Sequence, residues 1–205
     1  RSLDLAEVDA LVADGAVLLD GRTPEEVAHG HLSGSINGGL DGRYAVFAGS
    51  VVPSDVDIVL VVEPGFEREG RNRLGRIGFD RVVGHLADPL GVMATHPDRT
   101  ERASRLTVRE FEQRRHELEG VQIVDIRNPG EVALGVVPGA ATIPVGQLPE
   151  RLGELDATAP TVVYCAGGYR SSVAASLLRT NGFVDVSDLL GGFGAWVEVT
   201  QMPAR

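Results

Sequence analysis

Four short apolar runs stand out along the chain, at residues 17–19, 58–62, 123–124 and 161–164. Each is unbroken rather than alternating, and most are rich in β-branched residues, the pattern of strands covered on both faces. Polar stretches with helix-start signals lie between them. Asp4 and Thr107 are each followed three positions on by a glutamate, Glu7 and Glu110, the spacing of a capping box. Further along, Ile77-Gly78-Phe79 and Asn181-Gly182-Phe183 each end a helical stretch on glycine before another apolar run. The predicted order is helix, strand, loop, strand, helix, strand, stated twice. That order implies an α/β protein with a central parallel sheet flanked by helices on both faces.

The doubling is visible in the residues themselves. Leu18-Leu19-Asp20-Gly21-Arg22-Thr23-Pro24-Glu25-Glu26-Val27 aligns with Ile123-Val124-Asp125-Ile126-Arg127-Asn128-Pro129-Gly130-Glu131-Val132 at a constant spacing of 105 positions. Gly30 and Gly34 fall on Gly135 and Gly139 in the same register. A repeat of this length means two copies of one domain. Residues 89–104 hold two prolines and little apolar periodicity, so they read as a linker between a first domain at 1–88 and a second at 105–205.

Composition narrows the function. Of 205 residues, 43% are hydrophobic and 23% charged, enough for two buried cores beneath a solvated surface. The net charge of −10 and the absence of lysine make nucleic acid and anionic lipid poor partners. No apolar run approaches the roughly 20 residues of a membrane span. The one cysteine, Cys165, excludes an internal disulfide and points to a reducing, cytoplasmic compartment. The five histidines, His29, His31, His85, His96 and His116, lack metal-site spacing and are expected in surface or loop positions. The chain opens on arginine with a helical signal close behind, as a piece of a longer protein would.

A lone cysteine is most often a small buried hydrophobe. Here the predicted strand at 161–164 runs straight into Cys165-Ala166-Gly167-Gly168-Tyr169-Arg170-Ser171, and a helix follows. A thiol between a strand end and a helix start faces unpaired backbone amides and the positive end of the helix dipole, which together favour an anion. Two glycines let the backbone curl so that amides turn inward, and Arg170 adds a positive charge. Tyr169 either faces an incoming ligand or shields the loop from water. Asp125 and Arg127, like Asp20 and Arg22, suit a structural ion pair at the strand end, and Trp196 suits closing the core beside the loop.

This loop resembles that of the rhodanese family, Cys-x-x-Gly-x-Arg-Ser. The segments Asp125-x-Arg127-x-x-x-Glu131, Gly135-x-x-Pro138-Gly139-Ala140 and Leu190-Gly191-Gly192-Phe193-x-x-Trp196 resemble the family as well. The first copy is similar in outline, through Asp20-x-Arg22-Thr23-Pro24-x-Glu26 and residues 30–37. It departs after its strand at 58–62, where Glu63-Pro64-Gly65-Phe66-Glu67-Arg68-Glu69 carries no cysteine, and Pro64 has no amide to donate. The resemblance implies two tandem rhodanese-like domains, the first non-catalytic and the second catalytic. The arginine start also makes the pair similar to the carboxyl-terminal part of fusions in which a metallo-β-lactamase-type domain precedes tandem rhodanese domains.

The resemblance further implies a sulfurtransferase in which Cys165 takes a sulfane sulfur from thiosulfate or a persulfide and passes it to cyanide or a thiol. Arg170, with Ala166, Gly167, Gly168, Tyr169 and Ser171, would bind the sulfur anion, with no metal or organic cofactor. Two other readings stand beside it. Related phosphatases and arsenate reductases also set cysteine and arginine in an anion loop, but with five residues between them where this chain has four. The third reading is a sulfur-sensing or regulatory module without turnover.

Overall fold

The computed structural model describes residues 1–201. The chain divides into two compact units, Arg1–Ala103 and Ser104–Arg205. In chain order the first unit contains β1 (Ser2–Leu3), α1 (Leu5–Ala13), β2 (Val17–Asp20), α2 (Pro24–His29), β3 (His31–Leu32), β4 (Ser35–Asn37), α3 (Tyr44–Val51), β5 (Ile58–Val61), α4 (Glu67–Gly75), β6 (Val82–Leu86), α5 (Pro89–Thr95) and β7 (Thr100–Glu101). The second contains β8 (Ser104–Leu106), α6 (Val108–Glu117), β9 (Gln122–Asp125), α7 (Pro129–Val132), β10 (Ala141–Thr142), α8 (Leu148–Arg151), β11 (Thr161–Tyr164), α9 (Tyr169–Thr180), β12 (Val186–Leu189) and α10 (Gly192–Gln201).

Each unit is built on a five-stranded sheet whose pairings are all parallel, in the order β1-β6-β5-β2-β4 and β8-β12-β11-β9-β10. The two orders are the same, so the repeat seen in the residues is a repeat of topology. The four apolar runs are β2, β5, β9 and β11, and all four residues of β5 and of β11 are buried. These two strands lie mid-sheet, where both faces need apolar cover. Asp4 and Thr107 do cap α1 and α6 through capping boxes, with Asp4 and Glu7 exchanging bonds of 2.8 and 3.0 Å. The edge strands β1, β4, β8 and β10 are only two or three residues long and carry no periodicity that a sequence pattern could register.

The expected linker is a correction. Residues 89–101 are ordered on the first unit as α5, a short 3₁₀ turn and β7. Asp88 caps α5 by accepting from the Gly91 amide at 3.2 Å, Pro89 fits the first helical turn, and Met93 is buried in the core with Leu3, Val8 and Leu32. β7 pairs antiparallel with β3. Proline here starts a helix rather than breaking one, which moves the boundary to Ala103. His31 is a second correction. It is 2% exposed in β3, and its Nδ1 lies 2.9 Å from the Val27 carbonyl oxygen. Among the described residues, no helix is long and apolar enough to cross a membrane.

Within the second unit the chain leaves β9 toward β10 on one side and returns to β11 on the other. Such a reversal opens a crevice beyond the carboxyl ends of β9 and β11, the usual ligand position in open parallel sheets. Asp125 and Tyr164, the last residues of these strands, are register partners, and Cys165 is the next residue.

Candidate active site

Cys165 is 1% exposed and sits between β11 and the N-terminus of α9. Gly168 holds a left-handed φ of +102°, which turns its amide back onto the strand end. That amide donates to the Cys165 Sγ at 3.0 Å. The thiol in turn points at Ser171 Oγ, 3.6 Å away in the first turn of α9. Ala166 and Gly167 are exposed, Tyr169 and Arg170 half-buried, and Ser171 fully buried. The loop backbone is gripped from α10, where Phe193 donates to the Cys165 carbonyl at 2.7 Å and Gly194 to the Ala166 carbonyl at 3.2 Å.

A buried polar chain runs beneath the loop. Ser171 donates to Asp188 Oδ2 at 3.3 Å, and Arg105 donates to both oxygens of Asp188 at 3.0 Å. The same Arg105 reaches the Gly168 carbonyl at 3.3 Å, so the chain closes on the loop it started from. Arg105 and Asp188 face each other across β8 and β12 as register partners. Neither was singled out in the sequence. Arg105 lay at the edge of the stretch read as a linker, and Asp188 in a run with no motif.

Arg170 lies near Cys165, where the loop order puts it, and has a partner that the sequence did not display. It forms a two-pronged ion pair with Glu131, at 2.7 and 2.6 Å, in addition to its proximity to Cys165. The guanidinium holds the Glu131 carboxyl down to about 2. Glu131 also accepts from the Asn128 amide at 3.1 Å, which ties the start of α7 to the first turn of α9. The signal for Glu131 was present, because the repeat places Glu26 at the same position of the first copy.

Asp125 and Arg127 form the buried pair expected of them, with Nε to Oδ1 at 2.9 Å and Nη2 to Oδ2 at 2.6 Å. Arg127 extends to the Gly135 carbonyl at 2.7 Å and lies 4.0 Å over the Phe193 ring. The Tyr164 hydroxyl donates to Asp125 at 2.7 Å and accepts from the Val137 amide at 3.1 Å, and burial pushes its pKa above the ordinary tyrosine value. Trp196 stacks with Phe193 at 5.8 Å, donates to Glu112 at 2.7 Å and packs on the core.

The first unit keeps the turn and loses the thiol. Val62 follows the register pair Asp20 and Val61, the position Cys165 has in the second unit. Gly65 has φ +97°, close to that of Gly168. Its amide is taken by the carboxylate of Glu67, at 3.0 and 3.1 Å, and backbone amides hold that carboxyl below its ordinary pKa. A hollow of about 120 Å³ beside this turn is lined by Arg22, Glu26, Asp41 and Glu63 among others.

A buried thiol bonded by a loop amide, at the carboxyl end of a central parallel strand and under a helix N-terminus, defines the second unit as a cysteine-loop α/β domain. The rhodanese-like domain model matches residues 107–199. A sulfurtransferase from Allochromatium vinosum is 39% identical over 84 residues, 41% of this chain and 78% of that protein. The thiosulfate sulfurtransferase GlpE of Shewanella oneidensis is 42% identical over 82 residues, 40% of this chain and 81% of its own length. A crystal structure of a thiosulfate sulfurtransferase from Pseudomonas aeruginosa superposes with a TM-score of 0.44 at 23% identity, covering 98% of this chain and 43% of that one. The chain belongs to the rhodanese family.

Proposed function

We propose that this chain is a sulfurtransferase in which Cys165 carries the transferred sulfur as a persulfide, and that residues 1–103 form a non-catalytic companion domain. The observation that carries this reading is the Gly168 amide donating to Cys165 Sγ at 3.0 Å from the start of the 12-residue helix α9. An amide and a helix dipole aimed at one sulfur lower the energy of the thiolate that must attack and of the persulfide that results.

In the first half-reaction the Cys165 thiolate attacks the sulfane sulfur of a donor. The donor's S–S bond breaks, an S–S bond to Cys165 forms, and sulfite leaves from thiosulfate or a thiol from a persulfide. In the second, cyanide or an acceptor thiol attacks the outer sulfur and the Cys165 thiolate is restored. The half-buried Tyr169 and Arg170 and the exposed loop residues Ala166 and Gly167 border the donor, and Ser171 supports the sulfur from below. No metal or organic cofactor takes part in these steps. A phosphatase reading is disfavoured by the four residues between Cys165 and Arg170, which make a tighter loop than a tetrahedral phosphate requires.

Mass spectrometry after mixing with thiosulfate or cysteine persulfide tests the proposal. The native chain is expected to gain one sulfur atom on Cys165 and to release it as thiocyanate on adding cyanide. Cys165→Ser is expected to do neither. A native chain that gains no sulfur from either donor would sink the proposal, and turnover surviving in Cys165→Ser would sink the assignment of the residue.

A further inference from the structure

Three arginines stand around the Cys165 loop, and each is bound by a carboxylate of its own. Arg105 is held by Asp188 at 3.0 Å on both prongs, Arg127 by Asp125 at 2.9 and 2.6 Å, and Arg170 by Glu131 at 2.7 and 2.6 Å. The carboxyl of Glu131 is held to about 2, so it stays ionised at any working pH. Once Cys165 is a thiolate, the formal charge of this cluster is that of the thiolate alone. The exposed loop residues Ala166 and Gly167 add no charge, and the chain as a whole carries −10. Arg170 stands near the thiol with its charge offset by Glu131, so the uncompensated attraction for an anion comes from the Gly168 amide and the half-unit positive end of α9. Such a site tolerates one negative charge on a ligand far better than two, because Coulomb repulsion grows with the product of the charges.

We infer that the loop selects persulfide donors, whose reacting sulfur pair carries at most one negative charge, over dianionic thiosulfate, and that Glu131 determines this specificity by neutralising Arg170. The inference rests on the reading of Cys165 as sulfur acceptor and adds the class of donor. The favoured step is balanced without further reactants. The Cys165 thiolate attacks the terminal sulfur of R–S–SH, the S–S bond of the donor breaks with its electron pair going to R–S⁻, and the proton of the terminal sulfur passes to that thiolate. The products are the Cys165 persulfide anion and R–SH.

Single-turnover uptake of sulfur by Cys165, followed by mass spectrometry with cysteine persulfide and with thiosulfate, tests the inference. The native chain is expected to favour the persulfide in second-order rate constant by roughly tenfold or more, the scale of one uncompensated charge a few ångströms away when water screens it almost fully. Glu131→Gln leaves Arg170 without its counter-charge and keeps an oxygen for the Asn128 amide. It is expected to raise the thiosulfate rate by roughly tenfold while moving the persulfide rate by less than about threefold. Added salt supplies a readout that needs no variant: it should speed thiosulfate uptake by the native chain, since screening relieves repulsion.

A thiosulfate rate that falls with salt, or a Glu131→Gln variant that changes both donors in parallel, overturns the inference and leaves the sulfurtransferase reading intact. Sulfur uptake from neither donor overturns both.

Discussion

Gly192 approaches Cys165 so closely that a Cβ on it would lie 2.2 Å from the Cys165 carbonyl oxygen and 2.8 Å from the Ala166 backbone. Gly192 also holds a left-handed φ of +56°. The contact exists because α10 starts over the loop and donates two amides to it. Gly192→Ala therefore meets backbone rather than a movable side chain. The expected outcome is a loss of roughly 2–4 kcal/mol in urea unfolding, from strain and overpacking together, with impaired sulfur uptake. Gly194→Ala is the control, since its Cβ would sit 3.5 Å from the Ala166 oxygen in ordinary contact. Equal behaviour of the two variants would show that the approach of α10 is not what shapes the loop.

Arg105 and Asp188 set a second expectation. Their side chains are 16% and 3% exposed, and removing the arginine strands a buried carboxylate. Arg105→Ala is expected to cost about 3–5 kcal/mol in chemical denaturation, far more than loss of a surface pair. Losing the bond to the Gly168 carbonyl should also loosen the loop, read as faster hydrogen exchange at the Gly168 amide. Unchanged exchange there would refute the link between this pair and the loop.

The Glu131 carboxyl, held to about 2 against an ordinary 4.5, sets an acid limb of stability. A carboxyl whose pKa is depressed by folding stabilises above its unfolded value, and that contribution fades as pH falls through the window from about 5 to 2. With 33% of its side chain exposed, solvent screens the pair with Arg170, and the effect is on the order of 1 kcal/mol. Urea midpoints of the native chain and Glu131→Gln should therefore differ most near neutrality and converge toward pH 2. A gap independent of pH would contradict the pairing.

In the first unit the Glu67 carboxylate takes the Gly65 amide, the counterpart of the amide that donates to Cys165. Val62→Cys in a Cys165→Ser background is therefore expected to gain no measurable sulfur from thiosulfate or cysteine persulfide, because the Gly65 amide is already taken at 3.0 and 3.1 Å. Uptake at the native rate would mean that the cysteine alone separates the two units.

Much of this architecture was legible in the residues. Unbroken apolar runs marked the four central strands because a strand covered on both faces must be apolar throughout, and that requirement is local. Capping boxes at Asp4 and Thr107 are local too, three residues from end to end. The repeat exposed Glu131 beside Glu26 but could not say what either touches. The two- and three-residue edge strands left no pattern, and the helix start at Asp88-Pro89 was hidden behind the reputation of proline as a breaker.

The loop carrying Cys165 was determined by the sequence itself, since strand end, glycines and helix start are contiguous from Thr161 to Ser171. Tertiary structure alone decided the charge around it. Glu131 lies 39 positions from Arg170, and Arg105 lies 83 from Asp188. A sequence displays each arginine as a free cation, and whether it remains one depends on which carboxylate the sheet brings within three ångströms. Arg170, expected as a bare anion receptor, became a neutralised pair for that reason.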